Sequence, residues 1–250
     1  MLPSGLRSWR TTLGGLHARV HLRAEPDGTA LALLNASSAV RLTASGAAMV
    51  SMVLDGEDDR AIIKTLKRSF DAPRDRLARD LLELRDTLAR LAAAPGGSFP
   101  IEDLTDGRGA RTSALSAPLE AWVEMAPIDA LIPRIDALWG AAVPHITLLA
   151  TTSTVADDLV RAVERAEDLG MICGIRGLGS ALPRETLTRC AEAGVDCVQV
   201  PLLANTDAAH DQILGTGERR AAIDALVACR DLEVCPIAEV PLVDATADHL

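Results

Sequence analysis

Hydrophobic and polar residues alternate in three short runs near the start of the chain, with the period of a half-buried strand. The runs cover residues 16–22, 29–34 and 39–42, and a Pro26-Asp27-Gly28 turn separates the first two. We predict three strands here, and a flexible N-terminus over residues 1–15.

The pattern then changes to a repeat of three and four residues, which predicts three helices. The first covers residues 44–54, and the second is capped by Asp58 or Asp59. The third begins near Pro73 and ends near Ala94. Its apolar stripe is that of a helix packed on a core: Leu77, Leu81, Leu84, Leu88 and Leu91.

Strands and helices alternate in the second half of the chain, which indicates a parallel sheet. The predicted strands are 119–124, 145–150, 171–175, 197–201 and 234–240. The predicted helices are 128–139, 155–169, 184–193 and 218–230. Five strands of this kind fit either a partial barrel or a doubly wound sheet.

The order of elements defines the expected domains. Three strands followed by three helices are typical of a winged helix, which we place at residues 16–94. The glycine- and serine-rich residues 95–117 read as a linker. The predicted fold is therefore an α+β winged-helix-like N-terminal domain followed by an α/β partial (βα) barrel of about five parallel strands at 118–250.

Composition and charge narrow the classes of function. The chain is 48% apolar, enough for packed cores, but its aromatic residues are three Trp and two Phe, which leaves few platforms for stacking bases. Residues 1–95 carry 14 Lys/Arg and 11 Asp/Glu, whereas residues 96–250 carry 11 and 24. The acidic second half argues against nucleic-acid binding there.

The five cysteines all lie in the second half, and none forms a C-x2-C pair. Free buried thiols in a reducing cytosol explain their odd number, so we expect no metal site. The chain has no apolar run long enough to span a membrane, and its N-terminus lacks the apolar core of a signal peptide. We therefore expect a cytoplasmic protein without a membrane partner.

Four motifs in the first half resemble the PqqD-like family, whose members are the peptide-recognition elements (RiPP recognition elements) of ribosomal-peptide modification pathways. They are VRLTASGAAMV at 40–50, LDG at 54–56, AIIKTL at 61–66 and DLL at 80–82. The resemblance implies that a precursor or leader peptide adds as a strand to the edge of the third strand, flanked by the third helix. The implied peptide-binding residues are Val40, Arg41 and Leu42 on the strand and Arg79, Leu82, Arg85 and Ala89 on the helix.

Segments of the second half resemble radical S-adenosylmethionine (radical SAM) enzymes over about residues 118–228. They include PLEAWVEMAP at 118–127, VPHITLL at 143–149 and GVDCVQV at 194–200. In that family a C-x3-C-x2-C loop after the first strand holds an iron–sulfur cluster. Here residues 128–135 read IDALIPRI, and ATTST at 150–154 stands where the family has a G-G-E-P turn. These departures argue against the family's usual reaction, so we expect a pseudoenzyme without a cluster or other cofactor.

Other polar residues allow a different chemistry. Barrel enzymes place catalytic residues at the C-terminal ends of strands, where Glu124 and Glu239 fall, whereas His145 and Asp196 fall at strand starts. A Glu124–Glu239 pair could act as general acid and base. The run at 151–154 is expected to cap the following helix, and His210-Asp211 to cap or link a loop.

The sequence favours a non-catalytic protein that binds a precursor peptide, or docks a modifying enzyme, in a ribosomal-peptide or cofactor modification pathway. The first alternative is an enzyme with repurposed acid–base chemistry on the partial barrel. The second is a winged-helix DNA-binding regulator, which is disfavoured because the third helix balances its arginines with Asp75, Asp80, Glu83 and Asp86. We expect no nucleic-acid partner.

Overall fold

The computed structural model describes residues 3–94, 100–105 and 115–240, and the chain divides into two compact units, residues 1–117 and 118–250. Within the part that is described, no helix combines the length and the apolar character that crossing a membrane requires.

The first unit is built on one mixed sheet. Its strands, in sheet order, are β1 (Gly5–Leu13), β2 (Leu16–Ala24), β3 (Ala30–Leu34), β4 (Ser38–Leu42) and β5 (Ile101–Asp103). The first four pair antiparallel, and β5 pairs parallel to β4. The strands predicted within 16–42 are therefore confirmed.

Three helices follow β4 and cover one face of this sheet: α1 (Ala44–Leu54), α2 (Asp59–Ser69) and α3 (Arg74–Ala92). Thr43 caps α1 by accepting from the Gly46 amide at 3.2 Å, and Asp58 caps α2 by accepting from the Ala61 amide at 2.9 Å. The predicted leucine stripe of α3 is buried throughout and packs with the apolar side chains of β2, β3 and β4.

Two predictions for the first unit differ from the structure. Residues 1–15 were expected to be flexible, but Gly5–Leu13 pairs along its whole length with β2, and Trp9 Nε1 donates to Asp55 Oδ1 at 2.9 Å. The residues expected to form a linker include β5. Both are edge strands, and an edge strand buries too few side chains to impose a clear alternation on its sequence.

The second unit alternates strands and helices. In chain order they are β6 (Glu120–Glu124), α4 (Ile128–Gly140), β7 (His145–Leu149), α5 (Ala156–Leu169), β8 (Ile172–Arg176), a 3-10 turn (Gly179–Ala181), α6 (Arg184–Glu192), β9 (Cys197–Pro201), α7 (Asp207–Leu214), α8 (Glu218–Asp231) and β10 (Cys235–Glu239). All five strands pair parallel, as predicted, and the short helix α7 was not foreseen.

The strands of this sheet lie in the order β10-β9-β8-β7-β6, which is the order of the sequence. A doubly wound sheet would reverse direction at a switch point, so that alternative is excluded for these five strands. The core lies between the sheet and its helices, where residues such as Ile146, Leu148 and Val198 are buried. On the other face Trp122 remains 55% exposed.

β6 and β10 are the edges of this sheet among the described strands. On β10 the amide of Cys235 donates to Asp196 O, and Glu239 O accepts from the amide of Leu202, so both residues face β9. Because neighbouring residues of a strand point their backbone groups in opposite directions, Pro236 points its backbone nitrogen away from the sheet.

Candidate functional site

The edge of β4 is occupied by another part of the same chain. Ala39, Val40 and Arg41 pair in parallel register with Ile101, Glu102 and Asp103. The Ala39 amide donates to Pro100 O at 2.9 Å, and the Leu104 amide donates to Arg41 O at 3.0 Å. This edge therefore pairs with an extended segment of the same chain, as the family resemblance implies for a peptide.

A side chain of α3 holds the added strand from the flank. Arg90 donates to both carboxylate oxygens of Glu102, with Nη2 at 3.0 Å from Oε2. The hydrogen bonds from Arg90 hold the pKa of Glu102 below its ordinary value, and the same contact raises the pKa of Arg90. The flank of α3 thus favours an ionised carboxylate at this position.

A cleft of about 260 Å³ continues from the end of the added strand. The start of α1 forms one wall and α3 the other, while Asp103 and Leu104 close one end. Its lining is mixed: Leu42, Gly46, Met49 and Leu84 are apolar or small, and Arg76, Asp80 and Glu83 are charged. Such a surface suits a peptide side chain with both apolar and polar parts.

The strand residues implied by the resemblance lie at this site. Val40 and Leu42 are 0% and 1% exposed, so their side chains belong to the core. Their backbone groups face β3, because Ala39 and Arg41 are the residues that bond the added segment. Arg41 is half-buried, and its carbonyl bonds the added segment.

The implied helix residues are not brought together at the edge. Arg85 donates to Asp59 Oδ1 of α2 at 2.7 Å, and Ala89 lies against the β1–β2 turn, where a Cβ added to Gly14 would meet it at 3.1 Å. Leu82 is 63% exposed, and Arg79 bonds the Asp75 carbonyl through Nε at 3.4 Å. None of these four side chains lines the cleft. Leu82, Arg85 and Ala89 lie around the helix from the flank that does, and Arg79 lies beside that flank, three residues after Arg76 and four before Glu83.

The residues that face the edge were missed because they resemble an ordinary solvent-exposed helix face. Arg76, Asp80, Glu83 and Arg90 lie on one flank of the leucine stripe. Leu82, which lies off the leucine stripe, favours the opposite flank instead. The only signal in the sequence was the acidic Glu102-Asp103 pair soon after the end of α3.

The second unit does not bring its two candidate carboxylates together. Glu124 ends β6 and Glu239 ends β10, which are opposite edges of a five-stranded sheet. Three strands, β7, β8 and β9, lie between them in the sheet. The Glu124–Glu239 acid–base pair is therefore not supported by the geometry.

Glu239 has a different partner. Arg176 donates through Nε to both of its oxygens at 2.9 Å, and the Arg176 guanidinium lies 5.3 Å from the ring centroid of Trp122. The three side chains lie on β8, β10 and β6, and their contacts link these strands across the face of the sheet opposite the helices. We interpret them as a structural cluster. It leaves Glu239 fully engaged by a cation.

Other polar groups of the second unit also have local partners. The Glu120 carboxylate accepts from Thr147 Oγ1 at 2.7 Å and lies 3.9 Å from His145 Nε2. Burial lowers the pKa of His145, which keeps it neutral, against the opposing effect of Glu120. Asp211 accepts from the amides of Gly217 and Arg219 and so links α7 to α8, as expected for a loop-linking residue.

The threonine run before α5 does not cap that helix. Val155 occupies the N-cap position without a side-chain bond, and Thr154 Oγ1 accepts from the Thr151 amide at 2.9 Å instead. The capping prediction was wrong because the run closes a turn on itself.

Burial disfavours the thiolate form of four of the five cysteines, whereas Cys235 is exposed. Burial raises the pKa of Cys190 and of Cys197 to about 12 and that of Cys229 to about 11, and it raises the pKa of Cys173 well above its ordinary value. Thiolates are the form that binds metal and attacks electrophiles. In the described ranges no three His, Cys, Asp or Glu residues are grouped closely enough to hold a metal ion.

Comparison with known proteins identifies part of the first unit. Residues 30–92 match the family described as Coenzyme PQQ synthesis protein D (PqqD), so the chain carries a PqqD family domain there. This span holds β3, β4 and all three helices, and hence the strand edge and the helix flank of the site. No curated protein matches the chain.

The fold of the whole chain is similar to that of Streptococcus suis SuiB. The structure of SuiB and that of SuiB bound to S-adenosylmethionine each have a TM-score of 0.51 and 12% sequence identity over 91% of this chain. The chain spans 63% of the first structure and 64% of the second. At this identity the likeness concerns the fold alone.

Proposed function

We propose that this chain is a peptide-binding protein of a ribosomal-peptide or cofactor modification pathway. In this proposal the winged-helix-like domain at 16–94 binds a precursor peptide along the edge of β4, beside α3. The observation that carries the proposal is the pairing of β4 with an extended segment, held from the flank by Arg90. The PqqD family match over the same elements supports it.

We further propose that the second unit is a pseudo-radical-SAM domain, a partial (βα) barrel that docks a modifying enzyme or the peptide. The sequential order of its strands and the SuiB-like fold support the barrel. The absence of cysteine at 128–135, where the family has its cluster loop, supports the loss of the cluster. Anaerobic reconstitution with iron and sulfide should leave the protein without visible cluster absorption, and a brown iron-binding product would contradict this part.

Duplex DNA is a weaker candidate for the first unit. Two of the arginines of α3 are engaged by carboxylates, Arg85 by Asp59 and Arg90 by Glu102. A helix that reads DNA needs its cations available for phosphates.

Titration of the full chain with labelled precursor peptides encoded beside its gene tests peptide binding. We expect at least one to bind, and Glu83→Arg in the cleft wall to weaken that binding. Glu57→Arg is the matched control, because it makes the same charge change at an exposed position outside the cleft lining. If no such peptide binds, either to this chain or to the chain with β5 released, the proposal is wrong.

A further inference from the structure

The backbone edge proposed to receive a peptide is already used. β3 pairs with one edge of β4 and β5 with the other, so both sets of β4 backbone groups are engaged. A strand has only two such edges. A peptide from another molecule can add to β4 only after residues 100–105 have left it.

The resident segment is short and lightly held. Its strand has three residues, below the usual strand length of about five or six. Ile101 is 76% exposed, and the Arg90 side chain that holds Glu102 is itself 61% exposed. Exposed ion pairs of this kind contribute little, so the segment can be displaced.

The chemistry of the segment indicates what the site recognises. Glu102 offers a carboxylate to Arg90, and Leu104, two positions later, packs against the core of the first unit. Asp103 turns its carboxylate back to accept from the Thr105 amide at 2.9 Å, which ends the strand. The segment therefore presents an acidic residue and then an apolar one to the domain's side chains, followed by the buried Thr105.

The segment leaves part of the site unfilled. The cleft beyond Leu104 has room for further side chains between Met49 of α1 and Glu83 of α3. A longer peptide gains contacts there that the resident segment does not make. Such a peptide can therefore compete with a segment that is attached to the same chain.

We infer that residues 100–105 are an internal competitor for the peptide site, and that the peptide it mimics carries an acidic residue followed two positions later by an apolar one. The inference rests on the proposed function. Because only the fraction of molecules with β5 released can bind, the apparent affinity is the intrinsic affinity reduced by that fraction. Release of β5 by the right peptide is then the step that opens the site.

The test uses a fluorescein-labelled peptide of the segment's own sequence, Pro-Ile-Glu-Asp-Leu-Thr, and full-length protein. The release variant combines Glu102→Ala with Leu104→Asp, which removes both side-chain contacts and leaves the β4 edge and the α3 flank intact. We expect it to bind the labelled peptide about tenfold or more tightly than the natural chain does. Glu57→Lys, an exposed charge change outside the segment, should bind like the natural chain, and Glu102→Gln alone should give a smaller gain.

A charge exchange tests the chemistry of the recognised peptide. A peptide with Lys in the Glu position should not bind the release variant, and should bind it once Arg90→Glu is added. In the natural chain, the labelled peptide should raise amide exchange over 100–105 and leave that of β4 low. Equal binding by the natural chain and the release variant, or equal binding of the Glu and Lys peptides, would overturn the inference.

Failure of the inference is distinguishable from failure of the proposed function. If a precursor peptide binds the natural chain and the release variant equally, without raising amide exchange over 100–105, the protein still binds peptides but the internal-competitor inference is wrong. If the release variant binds no precursor peptide, the proposed function fails as well.

Discussion

The guanidinium of Arg90 on α3 donates two hydrogen bonds to the carboxylate of Glu102 on β5, which lies twelve residues later in the chain. This contact is one of the side-chain contacts that hold β5 beside the edge of β4. Reversing either charge alone, by Arg90→Glu or Glu102→Arg, should release the strand through like-charge repulsion. The double reversal should restore it.

Hydrogen–deuterium exchange measures this directly. Each single variant should exchange faster over residues 100–105 than the natural chain, and the double variant should return close to the natural rate. Exchange over β4 should stay slow in all four proteins because β3 still pairs with it. A double variant as fast as the singles would show that the ion pair does not hold the strand.

Acid should also release β5. Because hydrogen bonding to Arg90 lowers the pKa of Glu102 in the folded state, the pair stabilises the docked strand fully above the ordinary Glu pKa of about 4.3. That stabilisation is lost as the pH falls through the lowered pKa. Exchange over 100–105, corrected for its intrinsic pH dependence and compared with β4, should rise below about pH 4. Glu102→Gln should remove this dependence.

Leu81 and Leu82 are neighbours on α3 with opposite environments, at 1% and 63% exposure. Leu81→Ala should destabilise the first unit by about 2–5 kcal/mol, because it leaves a cavity in the core. Leu82→Ala should change the free energy of unfolding by less than about 0.5 kcal/mol. Urea unfolding followed by circular dichroism would compare them. Peptide affinity should be unchanged in Leu82→Ala. A loss of affinity in this variant would indicate that the peptide binds to the opposite flank of α3.

Gly179 has no room for a side chain. A Cβ there would lie 2.2 Å from the backbone nitrogen of Ala222 and 2.3 Å from the carbonyl carbon of Ala221, both on α8. Gly179→Ala should therefore destabilise the second unit by about 3 kcal/mol, since backbone must move. Gly140 ends α4 with no atom within 4 Å of the same position, and Gly140→Ala should stabilise by about 0.5–1 kcal/mol. We expect the thermal unfolding temperature to fall in Gly179→Ala and to rise in Gly140→Ala.

Thiol reactivity should be confined to one cysteine. Burial raises the pKa of Cys173, Cys190, Cys197 and Cys229, whereas Cys235 is exposed. Iodoacetamide near pH 8.5, the ordinary thiol pKa, should modify Cys235 first, and mass spectrometry would count the labels. Cys235→Ser should remove the fast label, and all five thiols should react in denaturant. Fast modification of Cys197 in the native protein would contradict this assignment.

The helices were predicted well because their ends carry local signals. The Asp58 cap, the leucine stripe of α3 and the left-handed Gly170 after α5 each depend on residues within one or two turns. The five parallel strands were found for a similar reason, since buried apolar runs alternate with these helices. Their order in the sheet was left open, because strand order depends on contacts between distant residues.

The site was only half predictable. The edge of β4 followed from the family resemblance, but its occupant did not, because β5 is three residues long and only Leu104 beside it packs against the core. Arg90 and Glu83 were not among the predicted residues, because they look like any exposed charges until the sheet fixes which side of α3 meets the edge. Polar residues that face a groove have the same sequence pattern as polar residues that face water.

Pro236 limits the addition of a further strand at the β10 edge of the parallel sheet. Its nitrogen points away from β9 and carries no hydrogen, so a further strand arriving at β10 would find a missing donor in the middle of its ladder. Open sheet edges are a common route to self-association and fibril growth. Pro236 therefore acts as a chemical stop at this edge of the described strands, and we expect Pro236→Ala to increase concentration-dependent aggregation.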